Sequence, residues 1–295
     1  MSAYRPLFSV VIPTYGRQRF LDDAIASVLH QSIEDLECIV VDDAGPEPAV
    51  IPRDPRVSLF RRETNGGPAA ARNSGLDIAR GRFVCFLDDD DLYTPNRLSL
   101  VTTSGSAPVS ICSRSTLGEG NRWSRDLNGP VHDTILDGLI PSLGQVSVAK
   151  DGMVFFDETF DGAQDLEWWL RLTANNEVTT VEEVGYLVRS HDGPRHRNGT
   201  VARIRGSLRL MEIHADYFET HPRARSFRWR RIGLMAMSLG ETNLAGHAFR
   251  ASLRAKATPR SAWHLARSFA ADARRKPEVA DFDQELRSEV LSHAR

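Results

Sequence analysis

Three short apolar runs rich in β-branched residues, Phe8–Pro13, Leu36–Val41 and Arg82–Leu87, punctuate the first ninety residues. Runs of this length, bounded by polar turns, predict strands covered on both faces, as in a parallel sheet. Val57–Phe60 predicts one more strand beside them. The segments between them change period. In Phe20–Gln31, Leu21, Ile25, Val28 and Leu29 recur at helical spacing and form a single stripe. Pro68 suits the first turn of a second helix, which Ala69–Ala79 continues. Strands alternating with helices imply βαβ units, and right-handed crossovers then give an α/β fold, a doubly wound sheet flanked by helices.

Beyond Leu100 the pattern loosens. Val109–Cys112 and Val146–Ala149 predict strands in an α+β stretch, and Gly185–Arg189 is strand-like. Asp165–Leu172 has helical spacing, with Leu166, Trp169, Leu170 and Thr173 on one face. After Pro194 the apolar positions are helical throughout: Ile204, Leu208, Met211, Ala215 and Phe218, then Ile232, Met235, Ala236 and Leu239. Gly240 separates these from helices through Phe249 and Leu253 and around Trp263–Ala270. The chain thus divides into residues 1–200 and a helical C-terminal region, 201–295.

Charge follows the same division. Residues 201–295 hold 18 Lys+Arg against 10 Asp+Glu, and residues 1–200 hold 19 against 29, so the net charge of -2 hides a balance of +8 behind one of -10. A basic helical region admits contact with an anionic membrane surface or a protein, or is simply a solvated face. A content of 41% hydrophobic and 26% charged residues excludes a disordered or collagenous chain. Cys38, Cys85 and Cys112 sit in apolar, strand-like surroundings, which predicts buried thiols in a reducing compartment. No run approaches a membrane span, and Leu7–Ile12 is too short for a signal-peptide core. The expected location is the cytoplasm, with any membrane contact made from the surface.

The candidate chemistry is acidic. Asp88-Asp89-Asp90-Asp91 follows the strand Arg82–Leu87. Four adjacent carboxylates repel one another unless solvent or a cation neutralises them. Extended backbone would put Asp88 and Asp90 on one side, a hard-oxygen pair suited to Mn²⁺ or Mg²⁺. Asp42-Asp43 ends the strand Leu36–Val41, and Pro13-Thr14-Tyr15 ends the first. Ligands of open α/β sheets bind outside these carboxyl ends. Asn65-Gly66-Gly67-Pro68 opens a helix, with Arg72 one turn in, and a helix start favours anions.

Together, Val10-Val11-Ile12-Pro13-Thr14-Tyr15, Ile39-Val40-Val41-Asp42-Asp43, Asn65-Gly66-Gly67 with Ala71-Arg72-Asn73, and Phe86-Leu87-Asp88-Asp89-Asp90-Asp91 resemble the family-2 inverting glycosyltransferases of GT-A fold. The match spans the first 100 residues and weakens to about residue 192. The resemblance implies a doubly wound mixed sheet and a site for a nucleotide-diphosphate sugar. Pro13 and Tyr15 would line the base, Asp43 would hydrogen-bond it, and Arg72 would lie near. Asp88-Asp89-Asp90 looks like the family's DxD element: Asp90 would hold the metal, Asp88 would assist, and Asp89 would approach the ribose. His191, in Arg189-Ser190-His191, would touch metal or diphosphate, and Arg195, His196 and Arg197 form a basic loop placed to close over phosphates.

The resemblance also places a general base before a Trp-Leu-Arg-Leu-like helix. Asp165 takes that position, with Gln164 replacing the acid that precedes it in similar enzymes. Glu167 is its rival, although about 200° of helix separates the two side chains, and Asp165 also suits an N-cap. The implied activity is metal-dependent, inverting transfer of a sugar to a hydroxyl of a carbohydrate, lipid-linked or other acceptor, with no nucleic-acid partner. A nucleotidyltransferase on a related fold would need a Gly-rich basic loop, of which Thr14-Tyr15-Gly16-Arg17 is a poor version. A non-catalytic nucleotide-sugar-binding subunit is the third reading.

Overall fold

The computed structural model describes residues 5–103, 107–190, 197–272 and 284–294. By compactness the chain forms two units: one of Met1–His132, Ile140–Glu158 and Trp168–Asp192, the other of Asp133–Leu139, Thr159–Glu167 and Gly193–Arg295.

The first unit holds strands β1 (Phe8–Thr14), β2 (Leu36–Asp42), β3 (Val57–Arg61), β4 (Phe83–Phe86), β5 (Leu92–Tyr93), β6 (Val109–Thr116), β7 (Val146–Ala149) and β8 (Val178–Val188). They form one mixed sheet in the order β3-β2-β1-β4-β7-β6-β8-β5. β1 pairs in parallel with β2 and β4, and β2 with β3. β7 runs antiparallel to β4 and β6, while β6 and β8 are parallel. Helix α1 (Gln18–Leu29) buries Leu21, Ala24, Ile25 and Val28 in one cluster with Phe8, Val10 and Ile12. Helix α2 (Gly67–Ile78) covers the side of Val11, where a Cβ on Gly75 would collide with the valine methyl groups. Alternation along β1 thus serves both covering layers, which is why nearly every residue of β1 and β2 is buried. A short helix, α3 (Ser99–Thr103), follows β5. Cys38, Cys85 and Cys112 are buried and free, as their surroundings predict.

Helix α4 (Gln164–Ala174) differs from its expected single face. Trp168, Trp169, Leu170 and Leu172 are all buried, whereas Leu166 is half-buried. The two indoles can be buried because each N–H finds a carbonyl: Trp168 Nε1 donates to Val154 O at 2.8 Å and Trp169 Nε1 to Pro141 O at 3.1 Å. The Trp168 ring also stacks on Phe156, with centroids 5.0 Å apart.

The second unit is helical: the start of α4, then α5 (Arg197–Ile213), α6 (Ala215–Thr220), α7 (Pro222–Ser238), α8 (Thr242–Ala255), α9 (Pro259–Asp272) and α10 (Gln284–His293). The apolar run from Ile204 to Phe218 is broken at His214, so it makes α5 and α6 rather than one helix. Among the described residues, no helix is long and apolar enough to cross a membrane.

Candidate active site

In the first unit, β1 connects to β2 on one side while β4 pairs on its other, so the strand order reverses between β1 and β4. That switch point is where an open α/β sheet offers a ligand crevice, and the carboxyl ends of β1 and β4 supply its residues. Thr14 Oγ1 donates to Asp89 Oδ2 at 2.7 Å and ties the two ends together. Pro13 is half-buried, and Tyr15 keeps 50% of its surface exposed, a ring face open to stacking.

The acidic run is a turn, closed by Asp91 N donating to Asp88 O at 3.1 Å, and not the extended segment expected. Burial nevertheless alternates. Asp89 and Asp91 are buried, while Asp88 and Asp90 are half-buried. Burial raises the Asp89 carboxyl above its ordinary value, against the Thr14 hydroxyl and the Arg17 charge. Burial also pushes Asp91 up to about 7, against hydrogen bonds from Tyr186 Oη and Arg189 N. The inward pair is committed to the frame, which turns Asp88 and Asp90 toward solvent.

Arginines neutralise this turn. Arg17 Nη1 lies 2.7 Å from Asp90 Oδ2 and 3.3 Å from Asp89 Oδ1. Arg72 Nη2 lies 2.7 Å from Asp88 Oδ1, and Arg189 Nε donates to Asp90 O at 3.0 Å. Arg17 is half exposed, and such a pair is worth only about 0.2–1 kcal/mol, so a stronger cation can displace it. Sequence reasoning gave Arg17 no role at the turn. Its signal was its place just after Gly16, in the first strand-to-helix connection. Arg72 is brought to Asp88, a partner the sequence did not disclose.

Asp43 and Asp42 hold loops. Asp43 Oδ1 and Oδ2 accept from Gly66 N at 3.0 Å and Gly67 N at 2.7 Å, with Arg62 Nε 3.1 Å away. A carboxylate offers about four lone-pair sites, so this frame leaves acceptor capacity for a ligand. Gly67 has φ +80°, which suits glycine at the head of α2. Asp42 accepts from Gly45 N at 2.8 Å and Ala49 N at 3.0 Å and pairs with Arg61. Burial would raise its pKa, but these bonds outweigh it and hold the carboxyl below its ordinary 3.8. The stability this supplies is present above pH 3.8 and lost as pH falls below it. Asp42→Asn is expected to cost about 1–3 kcal/mol near neutral pH and to flatten the acid limb of a melting-temperature-against-pH curve.

Asp165 belongs to the second unit and lies in the first turn of α4, not at its N-cap. Its Oδ1 accepts from Leu166 N at 3.0 Å. The turn before it has positive φ at Gly162 and Ala163 and abuts α5, where a Cβ on Gly206 would collide with Gly162 O. Glu167 is buried in the same unit, its Oε1 3.4 Å from His214 Nε2. His191, Arg195 and His196 lie outside the described residues. Among the described residues no group of three or more His, Cys, Asp or Glu side chains converges on a metal position. Mn²⁺ and Mg²⁺ do not require one: they are commonly held by one or two carboxylates and substrate phosphates, and Asp88 with Asp90 fits that donor set.

Residues 9–114, which include β2, β4, α2, the acidic turn and the carboxyl end of β1, match the model for glycosyl transferase family 2. The chain carries a family-2 glycosyltransferase domain. "Putative colanic acid biosynthesis glycosyl transferase WcaA" of Escherichia coli K12 is 25% identical over 232 residues, covering 72% of this chain and 83% of that protein. The chain spans less of other relatives: an uncharacterized glycosyltransferase of Haemophilus influenzae, 40% identical over 99 residues, is covered over 40% of its length. TarS 1-349 of S. aureus in complex with UDP-GlcNAc superposes with a TM-score of 0.60 at 17% identity, covering 97% of this chain and 91% of that one. The mannosyltransferase PcManGT of Pyrobaculum calidifontis, in complex with GDP-Man and Mn²⁺, gives 0.58 at 17% identity over 99% and 87%. The family-2 domain therefore has the GT-A fold expected from its motifs, and a helical C-terminal region follows it in the chain.

Proposed function

We propose that the chain is an inverting glycosyltransferase that moves a sugar from a nucleotide-diphosphate donor to an acceptor hydroxyl. The observation that carries this reading is the placement of Asp88 and Asp90, the two outward carboxylates of the acidic turn, at the switch-point crevice of a family-2 domain. Tyr15 and Pro13 receive the nucleotide base, and Asp43 offers it an acceptor beside the Gly66–Gly67 turn; Asp89, which the resemblance sets near the ribose, is buried against Thr14 and frames the crevice instead. Asp90, assisted by Asp88, would hold Mn²⁺ or Mg²⁺. The cation, when bound, offsets the charge that grows on the departing diphosphate. Asp165 takes the proton of the acceptor hydroxyl as its oxygen bonds to the anomeric carbon. The bond from that carbon to the diphosphate breaks, and its electron pair leaves with the diphosphate. A single in-line displacement inverts the anomeric configuration. The name of the Escherichia coli relative, a putative colanic acid biosynthesis glycosyl transferase, supports a biosynthetic role, and a cytoplasmic location is part of the same proposal.

A thermal-shift panel of nucleoside diphosphates and their sugars, with and without Mn²⁺, tests the proposal. A donor at 100 times its dissociation constant is expected to add about 2.7 kcal/mol in the presence of metal, and to be hydrolysed slowly without an acceptor. Pyrophosphate release from a nucleoside triphosphate and a sugar phosphate would instead establish a nucleotidyltransferase. Binding without hydrolysis or transfer to any acceptor would establish a non-catalytic subunit.

A further inference from the structure

Helix α9 carries a stripe that the transfer reaction does not use. Arg260, Trp263 and Arg267 recur at i, i+3 and i+7 and are all exposed. Trp263 has 56% of its surface exposed, and the Arg267 guanidinium lies 4.6 Å from its ring centroid. The adjacent side of the helix is anchored: Ser261 and Ser268 are buried, Ser261 Oγ lies 2.8 Å from Ser252 Oγ of α8, and His264 stacks on Phe249. Arg230 of α7 adds to the same positive field. Its own pKa is lowered by burial and by the charges of Arg260 and Arg231, and His264 is lowered by burial together with Arg230, Arg267 and Arg260. Like charges are thus gathered at an energetic cost around an exposed indole. In sequence, Arg274-Arg275-Lys276 follows directly.

We propose that the Arg260–Trp263–Arg267 face of α9 docks on an anionic lipid surface. Guanidinium groups meet lipid phosphates, and an indole has the amphipathic character that places it at the boundary between headgroups and acyl chains. The cation gathering fixes the sign of the partner, and the single protruding tryptophan selects an interface with an apolar layer beneath its phosphates over a soluble polyanion. This inference is independent of the proposed chemistry.

The test is co-sedimentation of the full chain with vesicles of phosphatidylcholine and phosphatidylglycerol in equal parts, and with pure phosphatidylcholine. Binding is expected on the anionic vesicles alone and should weaken with added NaCl. Each arginine near such a surface contributes about fivefold in partition, so Arg260→Ser with Arg267→Ser should lose about 25-fold. Trp263→Ser should weaken binding further and abolish quenching by brominated lipid. Arg53→Ser with Arg122→Ser removes the same charge from the first unit and should change little. Retention of the parent's partition by the α9 pair, an equal loss in the Arg53/Arg122 pair, or equal binding to neutral vesicles would overturn the proposal. So would vesicle binding that is indifferent to Trp263 and displaced by dextran sulfate. Unchanged thermal melting of each variant separates a lost surface from a lost fold.

Discussion

Mn²⁺-dependent binding of a nucleoside diphosphate is expected to collapse in Asp90→Ala while the fold persists. Asp90 is half-buried at the outward side of the acidic turn, and its side chain meets Arg17, itself half exposed. Losing that pair removes about 0.2–1 kcal/mol, and relief of repulsion from Asp88 and Asp89 offsets part of it, so the melting temperature should shift little. Metal-dependent affinity should fall by more than the 10–100-fold typical of losing a residue that only supports a metal ligand. Calorimetry with the nucleotide, with and without Mn²⁺, separates the two contributions. A variant that keeps the parent's metal-dependent affinity would remove Asp90 from the site.

The frame of the crevice was legible because it rests on local rules. Buried parallel strands read as continuous apolar runs, and β1, β2 and β4 fall within one or two residues of Phe8–Pro13, Leu36–Val41 and Arg82–Leu87. Helices α1 and α2 follow from one apolar stripe and from Pro68 at the helix start. The later strands were less legible because their pairing is non-local. β7 is inserted antiparallel between β4 and β6, and β5 is a two-residue strand held by β8. No local periodicity encodes such partners. The all-round burial of α4 was hidden for a related reason: the distant carbonyls of Val154 and Pro141 make two adjacent tryptophans acceptable inside.

Within the site, residue types were legible but their neighbours were not. Four consecutive aspartates announce a need for positive charge, yet nothing in their spacing shows that Arg17, Arg72 and Arg189 supply it. Nor does it show that Tyr186, 95 positions away, would take Asp91 out of contention as an outward carboxylate. Asp43 had a role by resemblance, and the structure adds its bonds to Gly66 and Gly67. These are long-range contacts, fixed only once the sheet has brought its carboxyl ends together.

Asp165→Asn is expected to reduce kcat by at least 10²-fold with donor and metal affinity retained. Asparagine preserves the size of the side chain and an acceptor for Leu166 N, but it cannot take a proton from an attacking hydroxyl. Gly162 and Ala163, both at positive φ, and the close approach of Gly206 define the turn from which α4 starts. The substitution therefore changes the chemistry of the residue without moving it. Glu167→Gln provides the contrast. That carboxylate is buried 3.4 Å from His214, so neutralising it should act mainly on the stability of the second unit and on acceptor affinity, with a smaller loss in kcat. Rates with a competent acceptor, beside donor affinity by calorimetry, decide between them. An active Asp165→Asn enzyme alongside an inactive, folded Glu167→Gln enzyme would transfer the role of base to Glu167. Lost donor binding in Asp165→Asn would make Asp165 a structural residue, because removal of a base alone leaves the ground-state complex intact.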